Sequence, residues 1–190
     1  MLSDAYYIRL ILEQGSEEAL FKLVKRYERQ VFSLCYRVIR NREEAEEAAQ
    51  DVFLKAAAQL KKLTDLERFA PWLMRIAYHR AIDYARLVKH KPVDLDEKDW
   101  ERLTDEIERT PVESAEDMDR KALIEWVLQQ LPAIDNAIIT LHYLQGYSLK
   151  EVAEATNLSL SNVKVKLYRV RPLLKTMIEQ HLGKESKDLL

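Results

Sequence analysis

The sequence predicts an all-α protein of two small helical domains joined by an acidic linker, and three observations lead there. Only three glycines and five prolines interrupt 190 residues that are 47% hydrophobic and 33% charged, the balance of a helix-rich globular chain. Apolar residues recur at spacings of three and four through most of the chain, which is the period of a half-buried helix. The charge is also partitioned. Residues 1–92 hold 17 Lys and Arg against 13 Asp and Glu, residues 93–119 hold 3 against 12, and residues 120–190 hold 10 against 7. A formal net charge of −2 therefore conceals two mildly basic blocks around an acidic strip. The expected domains are residues 1–92 and 120–190, with 93–119 as a flexible linker.

Several function classes are disfavoured from the start. Cys35 is the only cysteine, so there is no disulfide framework and no cysteine zinc cluster. Its spacing from Val31, Leu34 and Val38 predicts a buried thiol. No basic-then-apolar leader opens the chain, and nowhere do about 18 apolar residues run together, so the expectation is a cytoplasmic protein without membrane insertion. A glycine-rich phosphate loop is lacking, as is any nucleophile–base pairing, which points away from an enzyme and from any cofactor.

The elements follow in order. A short helix is predicted over Ser3–Glu13, stopped by Gly15. Ser16 caps the next, whose apolar set is Leu20, Leu23, Val24, Tyr27, Val31, Leu34 and Val38. Asn41 ends that helix and opens another, from Arg42 to about Leu60, with Glu44 placed as in a capping box. Thr64–Phe69 reads as a loop or short turn, and Pro71 suits the first turn of a helix reaching about Lys89. Pro92 closes the first bundle. Val93–Asp119 has no sustained apolar stripe and is broken by Pro111, so at most transient helix is expected. From Arg120 a helix holding Leu123, Trp126, Val127 and Leu131 precedes Pro132, and another runs to Gly146.

The last two helices form the most specific feature. Ser148 and Glu151 make a capping box opening Ser148–Thr156, Ala153 is small where a second helix crosses, and Asn157 tolerates a left-handed turn. The next helix, from Ser161, groups Val163, Leu167, Val170 and Leu174 on one side and Lys164, Tyr168, Arg171 and Lys175 on another. Between Ala155 and Ile178 there are five basic residues and no acidic one. This is the pattern of a helix-turn-helix with a basic recognition helix. An ordinary helical hairpin with a solvated basic face is the plainer reading.

A second basic stripe lies on the helix after Pro71, where Trp72, Arg75, His79, Asp83 and Arg86 share one side. Leu73, Ala77, Ala81, Tyr84 and Val88 lie opposite as core. Arginines with a tryptophan suit phosphate contacts and base stacking; the alternative is a core tryptophan beside solvated charges. His79 and Asp83 are spaced as a metal pair, but two flanking arginines and the lack of a third ligand argue against one. The helix from Arg42 buries Ala45, Ala48, Ala49, Val52, Phe53, Ala56 and Leu60. It presents Glu43, Glu47, Gln50 and Asp51 with Leu54 in their midst. An acidic face is usually just solvated, yet an apolar residue among carboxylates is what a protein-binding surface shows.

These features, in this order, resemble the sigma-70 superfamily in its short extracytoplasmic-function (ECF) branch. Gln50-Asp51-Val52-Phe53 after an Ala-Glu-Glu run resembles the helix of sigma region 2 that binds the β′ clamp helices of RNA polymerase. Phe69-Ala70-Pro71-Trp72-Leu73-Met74-Arg75-Ile76-Ala77 is similar to the signature of the promoter-opening helix, and Asp83 and Arg86 match its later polar positions. Leu131-Pro132, Gly146-Tyr147-Ser148, Val152-Ala153 and Val163-Lys164 with Leu167-Tyr168-Arg169-Val170-Arg171 resemble sigma region 4. Three positions depart from the pattern: His79 stands for the usual Asn, Ser161-Asn162 for a common Gly-Thr, and Pro172 lies inside the final helix, where it removes one backbone bond and predicts a kink.

The resemblance implies an alternative sigma factor that binds core RNA polymerase at the β′ clamp helices and β flap. Glu43, Glu47, Gln50, Asp51 and Leu54 would make the polymerase contact. The minus-10 element would be captured by the Leu60–Phe69 loop, including Arg68, with Trp72, Arg75, His79 and Arg86. Ser161, Asn162, Lys164, Tyr168, Arg171 and Lys175 would read the minus-35 element. Promoter DNA and an anti-sigma factor are the further partners implied. The competing reading is a stand-alone helix-turn-helix regulator whose N-terminal bundle senses or dimerises.

Overall fold

A computed structural model describes residues 2–88, 94, 98–103 and 120–182, and all regular structure among them is helical. Helix α1 (Asp4–Gln14) begins where the Ser3 side chain accepts from the Tyr6 N–H and stops at Gly15, left-handed at φ 64°. Ser16 caps α2 (Glu17–Ile39) in the same way. Arg40 ends α2 at φ 66°, a conformation that a non-glycine residue keeps only when its surroundings hold it. The Arg40 guanidinium supplies such a tie, donating to the carbonyl oxygen of Leu131 far along the chain. Asn41 caps α3 (Arg42–Gln59), and two 3-10 turns, Leu60–Lys62 and Leu66–Arg68, lead into α4 (Phe69–Val88). The four helices close on Leu23, Val31, Leu34, Val52, Leu73 and Ala77, with Cys35 also buried.

The segment expected to be a linker is partly ordered. Residues 98–103 form a helix, α5, and Trp100 is only 6% exposed within the common core. A tryptophan buries about 150–250 Å², enough to hold a short helix that the surrounding carboxylates alone would not. The remainder of the predicted linker (93, 95–97 and 104–119) lies outside the described residues.

The second half comprises α6 (Arg120–Gln130), α7 (Ala133–Ile139) with a π-helical turn at Thr140–Leu144, α8 (Leu149–Thr156) and α9 (Leu160–Leu182). Helix α9 runs through Pro172 without ending. The proline is exposed, while Val170, Leu173 and Met177 on the other side are buried.

The two halves pack directly on each other, α7 against α2 and α8 against α4. Asn136 of α7 is fully buried and joins them. Its Nδ2 donates to the Arg37 carbonyl in α2 at 3.0 Å and to the Leu128 carbonyl in α6 at 2.7 Å, while Oδ1 accepts from Thr140 Oγ1 at 3.2 Å. Arg37 pairs with Glu125, and Gln145 Nε2 donates to the Gln30 carbonyl at 2.9 Å. Asn136→Ala deletes three hydrogen bonds at once, two of them fully buried. It should lower the unfolding free energy by on the order of 2–4 kcal/mol. Urea unfolding checks this, and an unchanged midpoint would show that the amide is dispensable.

Candidate nucleic-acid interface

Helices α8 and α9 meet across a turn whose chemistry is that read from the sequence. The Ser148 backbone N–H donates to Glu151 Oε2 at 2.8 Å and the Glu151 N–H to Ser148 Oγ at 3.3 Å, which completes a capping box. Asn157 turns the chain at φ 58°, and Ser159 Oγ accepts from the Asn162 N–H at 3.1 Å to open α9. Val163, Leu167, Val170, Leu173 and Met177 are buried; Leu174, expected in that row, is half-buried.

The opposite face of α9 is exposed and carries Ser161, Asn162, Lys164, Tyr168, Arg171 and Lys175, with Tyr168 at 77% exposure. Val165 and Arg169 share it. Sequence reasoning passed over both, although a helical wheel places Val165 within about 40° of Ser161; an isolated valine in a helix reads as core. At 100° per residue, Ser161, Val165 and Tyr168 run along the centre of this face. Lys164, Arg171 and Lys175 flank one side of it, and Asn162 and Arg169 the other.

Lys166 is the exception among the five basic residues of this stretch. It is only 8% exposed, with Nζ 2.6 Å from Asp94 Oδ1 and 3.5 Å from Asp135 Oδ2. Burial pushes Asp135 up to about 6, against the pull of Lys166.

On α4 the predicted stripe is present but uneven. Arg75, Asp83 and Arg86 are exposed, whereas Trp72 is half-buried, packed on the core with its ring 5.8 Å from that of Phe69. His79 is half-buried too. Its burial, with Arg75 beside it, lowers its pKa against the pull of Asp83, which favours the neutral ring. Arg68 is exposed and pairs with Glu154 of α8. Of the expected core set, Tyr84 is half-buried and the Val88 side chain lies outside the description. On α3, Glu43, Glu47 and Gln50 are exposed and Leu54 is 70% exposed. Asp51 is tied to α4: Arg80 Nε donates to its Oδ2 at 3.1 Å, and Tyr84 Oη lies 3.4 Å away. Among the described residues no cluster of three or more His, Cys, Asp or Glu is placed to hold a metal.

Comparison with known proteins fits this arrangement. The family model described as Sigma-70 region 2 matches residues 23–90, and that described as Sigma-70, region 4 matches residues 122–174. The chain is 28% identical over 175 residues to the ECF RNA polymerase sigma factor SigW of Bacillus subtilis, covering 88% of this chain and 92% of that one. It is 25% identical over 187 residues to the ECF RNA polymerase sigma-E factor of Haemophilus influenzae, with coverage of 88% and 92%. In fold it is similar to CnrH, solved in complex with the cytosolic domain of CnrY (TM-score 0.61, 20% identity, 93% of this chain and 97% of that). A bundle followed by a helix-turn-helix domain, matched as these two regions, defines a promoter-recognition subunit of RNA polymerase. The chain belongs to the sigma-70 family, in its ECF group, and is a non-enzymatic factor that directs promoter recognition.

The buried carboxylate beside α9 yields a pH signature. A carboxyl whose folded pKa lies above its unfolded value takes up a proton on folding. Asp135 therefore costs stability above about pH 6, and the cost is gone below about pH 4. Asp135→Asn leaves Lys166 its bond to Asp94. The variant should gain on the order of 1–3 kcal/mol relative to wild type at pH 7.5 and about a third of that at pH 4.5. Paired denaturant titrations at the two pH values test this, and a difference independent of pH would refute it.

Proposed function

We propose that the two halves, packed on each other as they are, form a resting state, and that core polymerase parts them so that both promoter elements are read together. The observation that carries this is the direct stacking of α4 on α8 and of α8 on α9. Packed helices lie about 8–10 Å apart, so the axes of α4 and α9 pass within roughly 20 Å of each other. Promoter elements more than one helical turn apart lie at least about 34 Å apart along B-DNA. Both basic faces are exposed in the packed form, yet they stand too close together to serve both elements.

In this reading Glu43, Glu47, Gln50 and Leu54 of α3 meet the β′ clamp helices, and Asp51 contributes mainly by fixing α3 to α4 through Arg80. Region 4 meets the β flap. The turn around Arg68, with Trp72, Arg75, His79 and Arg86, takes the minus-10 element. Ser161, Asn162, Lys164, Tyr168, Arg171 and Lys175 take the minus-35 element. Residues 1–92 and 120–190 are the working units, and the acidic strip between them suits a positively charged polymerase channel. An anti-sigma partner is supported by a fold neighbour, RpoE, solved with the anti-sigma factor NepR from Bartonella quintana (TM-score 0.58, 17% identity, 83% of this chain and 95% of that). A cytoplasmic setting goes with that role; none of the described helices is long and apolar enough to cross a membrane.

Cys35 is buried and its thiol is pushed up to about 12 by burial, so cysteines placed on exposed sites of α3 and α9 will label selectively. Energy transfer between two such dyes should be high in the free protein and drop on adding core polymerase. Anisotropy with a promoter duplex should show weak, salt-sensitive binding alone and tight binding with core enzyme. Nanomolar sequence-specific binding by the free protein at physiological salt would overturn the proposal. For the polymerase contact, Leu54→Arg and Glu47→Lys should each weaken core-enzyme pull-down at unchanged stability. Wild-type capture by both would remove α3 from the interface.

A further inference from the structure

Arg171, on one flank of the exposed α9 face, is not held by its own helix. Its Nε–H donates to Tyr143 Oη at 2.8 Å, and its guanidinium carbon lies 5.9 Å from the centre of the Tyr143 ring. Tyr143 belongs to the π-helical turn Thr140–Leu144, closed where the Gln145 N–H reaches back five residues to the Thr140 carbonyl at 3.0 Å. In that turn Leu141 is fully buried while Tyr143 is left 49% exposed. Scattered surface aromatics are ordinary, but this one meets an arginine of the recognition helix through its hydroxyl.

The chemistry of the pair is specific. A guanidinium whose Nε–H is engaged cannot offer its side edge, and only the end carrying the two terminal nitrogens remains for a two-oxygen acceptor. The tyrosine hydroxyl accepts from Arg171 with a lone pair, and its own hydrogen meets no acceptor among the described residues. Arg171 and Tyr143 together thus present N–H and O–H donors without the rotamer cost of ordering a free arginine at the moment of binding. The nearby start of α8, otherwise a ready anion site, is already filled. Glu151 places a carboxylate there, accepting from both the Ser148 N–H and its hydroxyl at 2.8 and 2.6 Å, which repels a phosphate.

We propose that Tyr143 is a positioning residue for promoter binding. With Arg171 it forms a preassembled clamp for one DNA backbone phosphate beside the minus-35 element, Arg171 through its terminal nitrogens and Tyr143 through its hydroxyl. The proposal rests on reading α9 as the minus-35 helix. It adds to that reading a residue outside the helix-turn-helix and a ligand that is the sugar-phosphate backbone rather than a base.

A phosphate clamp acts on any sequence, so the test uses the full chain and a short duplex of random sequence, titrated over a salt series. Arg171→Ala should weaken low-salt binding about tenfold and reduce the salt slope by about one. Tyr143→Phe keeps the ring and loses the hydroxyl; it should weaken binding roughly fivefold in the wild type and less than twofold in the Arg171→Ala background. Arg171→Lys, which lacks the planar fork, should not restore the affinity. Thermal melting of Tyr143→Phe should match wild type, which separates positioning from a structural defect. If Arg171→Ala weakens binding while Tyr143→Phe does not, or if the two effects are additive, the clamp is refuted and the reading of α9 stands. If Arg171→Ala changes neither affinity nor slope, this flank does not meet DNA, and the clamp and that part of the reading fail together.

Discussion

The arrangement of this protein turns on one buried amide. Asn136 bonds to the main chain of α2 and of α6 at once, and it is held in turn by Thr140. Apolar burial favours contact between the halves but is indifferent to their rotation. A buried amide is not indifferent, because any sliding that breaks its bonds leaves polar groups unpaired in the interior. The other ties are of a different kind. The Arg68–Glu154 pair is about half-exposed and contributes little, and the Arg40 bond to Leu131 fixes the end of α2 more than it adds adhesion. Asn136 sets the register, the apolar surface supplies the attraction, and the surface ions follow.

Helix α4 shows how docking of the second half reuses the first. Leu73, Ala77 and Ala81 face the bundle, as their spacing requires. Met74, Tyr78 and Ile82 form a second buried sector, with Tyr78 within electrostatic reach of Asp94 and Asp135. Arg75, Asp83 and Arg86 are left in solvent. One helix thus serves three environments, each spanning about 80° of its circumference. The exposed sector is basic because it is the only one in which a charge goes unpenalised.

Much of this was legible in the sequence because it rests on local chemistry. Caps at Ser16, Asn41 and Ser148, the left-handed Asn157 and the apolar rows of α2 and α9 depend on neighbours within one or two turns. What escaped depends on distant partners. Lys166 sits among basic residues in a helix that reads as nucleic-acid-binding, and only carboxylates 31 and 72 residues away bury it. Trp100 lies in a strip whose acid count masks a single large apolar anchor. Met74, Tyr78 and Ile82 gave a fainter sign: with them, the apolar arc of α4 is wider than one packed neighbour needs. The tie between Asp51 and Arg80 joins two helices whose polar faces read separately as solvated.

The composition of the contact between the halves bears on how such a state is released. Driving a two-state equilibrium from about 99:1 closed to 1:99 takes roughly 5.5 kcal/mol of differential binding. A contact built wholly of large apolar side chains would exceed that readily, since each fully buried one is worth about 1.5–3 kcal/mol. A contact in which Gln30, Arg37, Arg40, Asn136, Gln145 and Tyr147 carry much of the specificity stays weaker. Hydrogen bonds traded for water contribute only about 1 kcal/mol each. The polar groups exposed on parting can be hydrated, so the penalty of the open state falls on the apolar residues of the common core alone. A partly polar contact keyed by one buried amide is therefore suited to a partner that must open the protein with its own binding energy, and ill suited to one that must only recognise it.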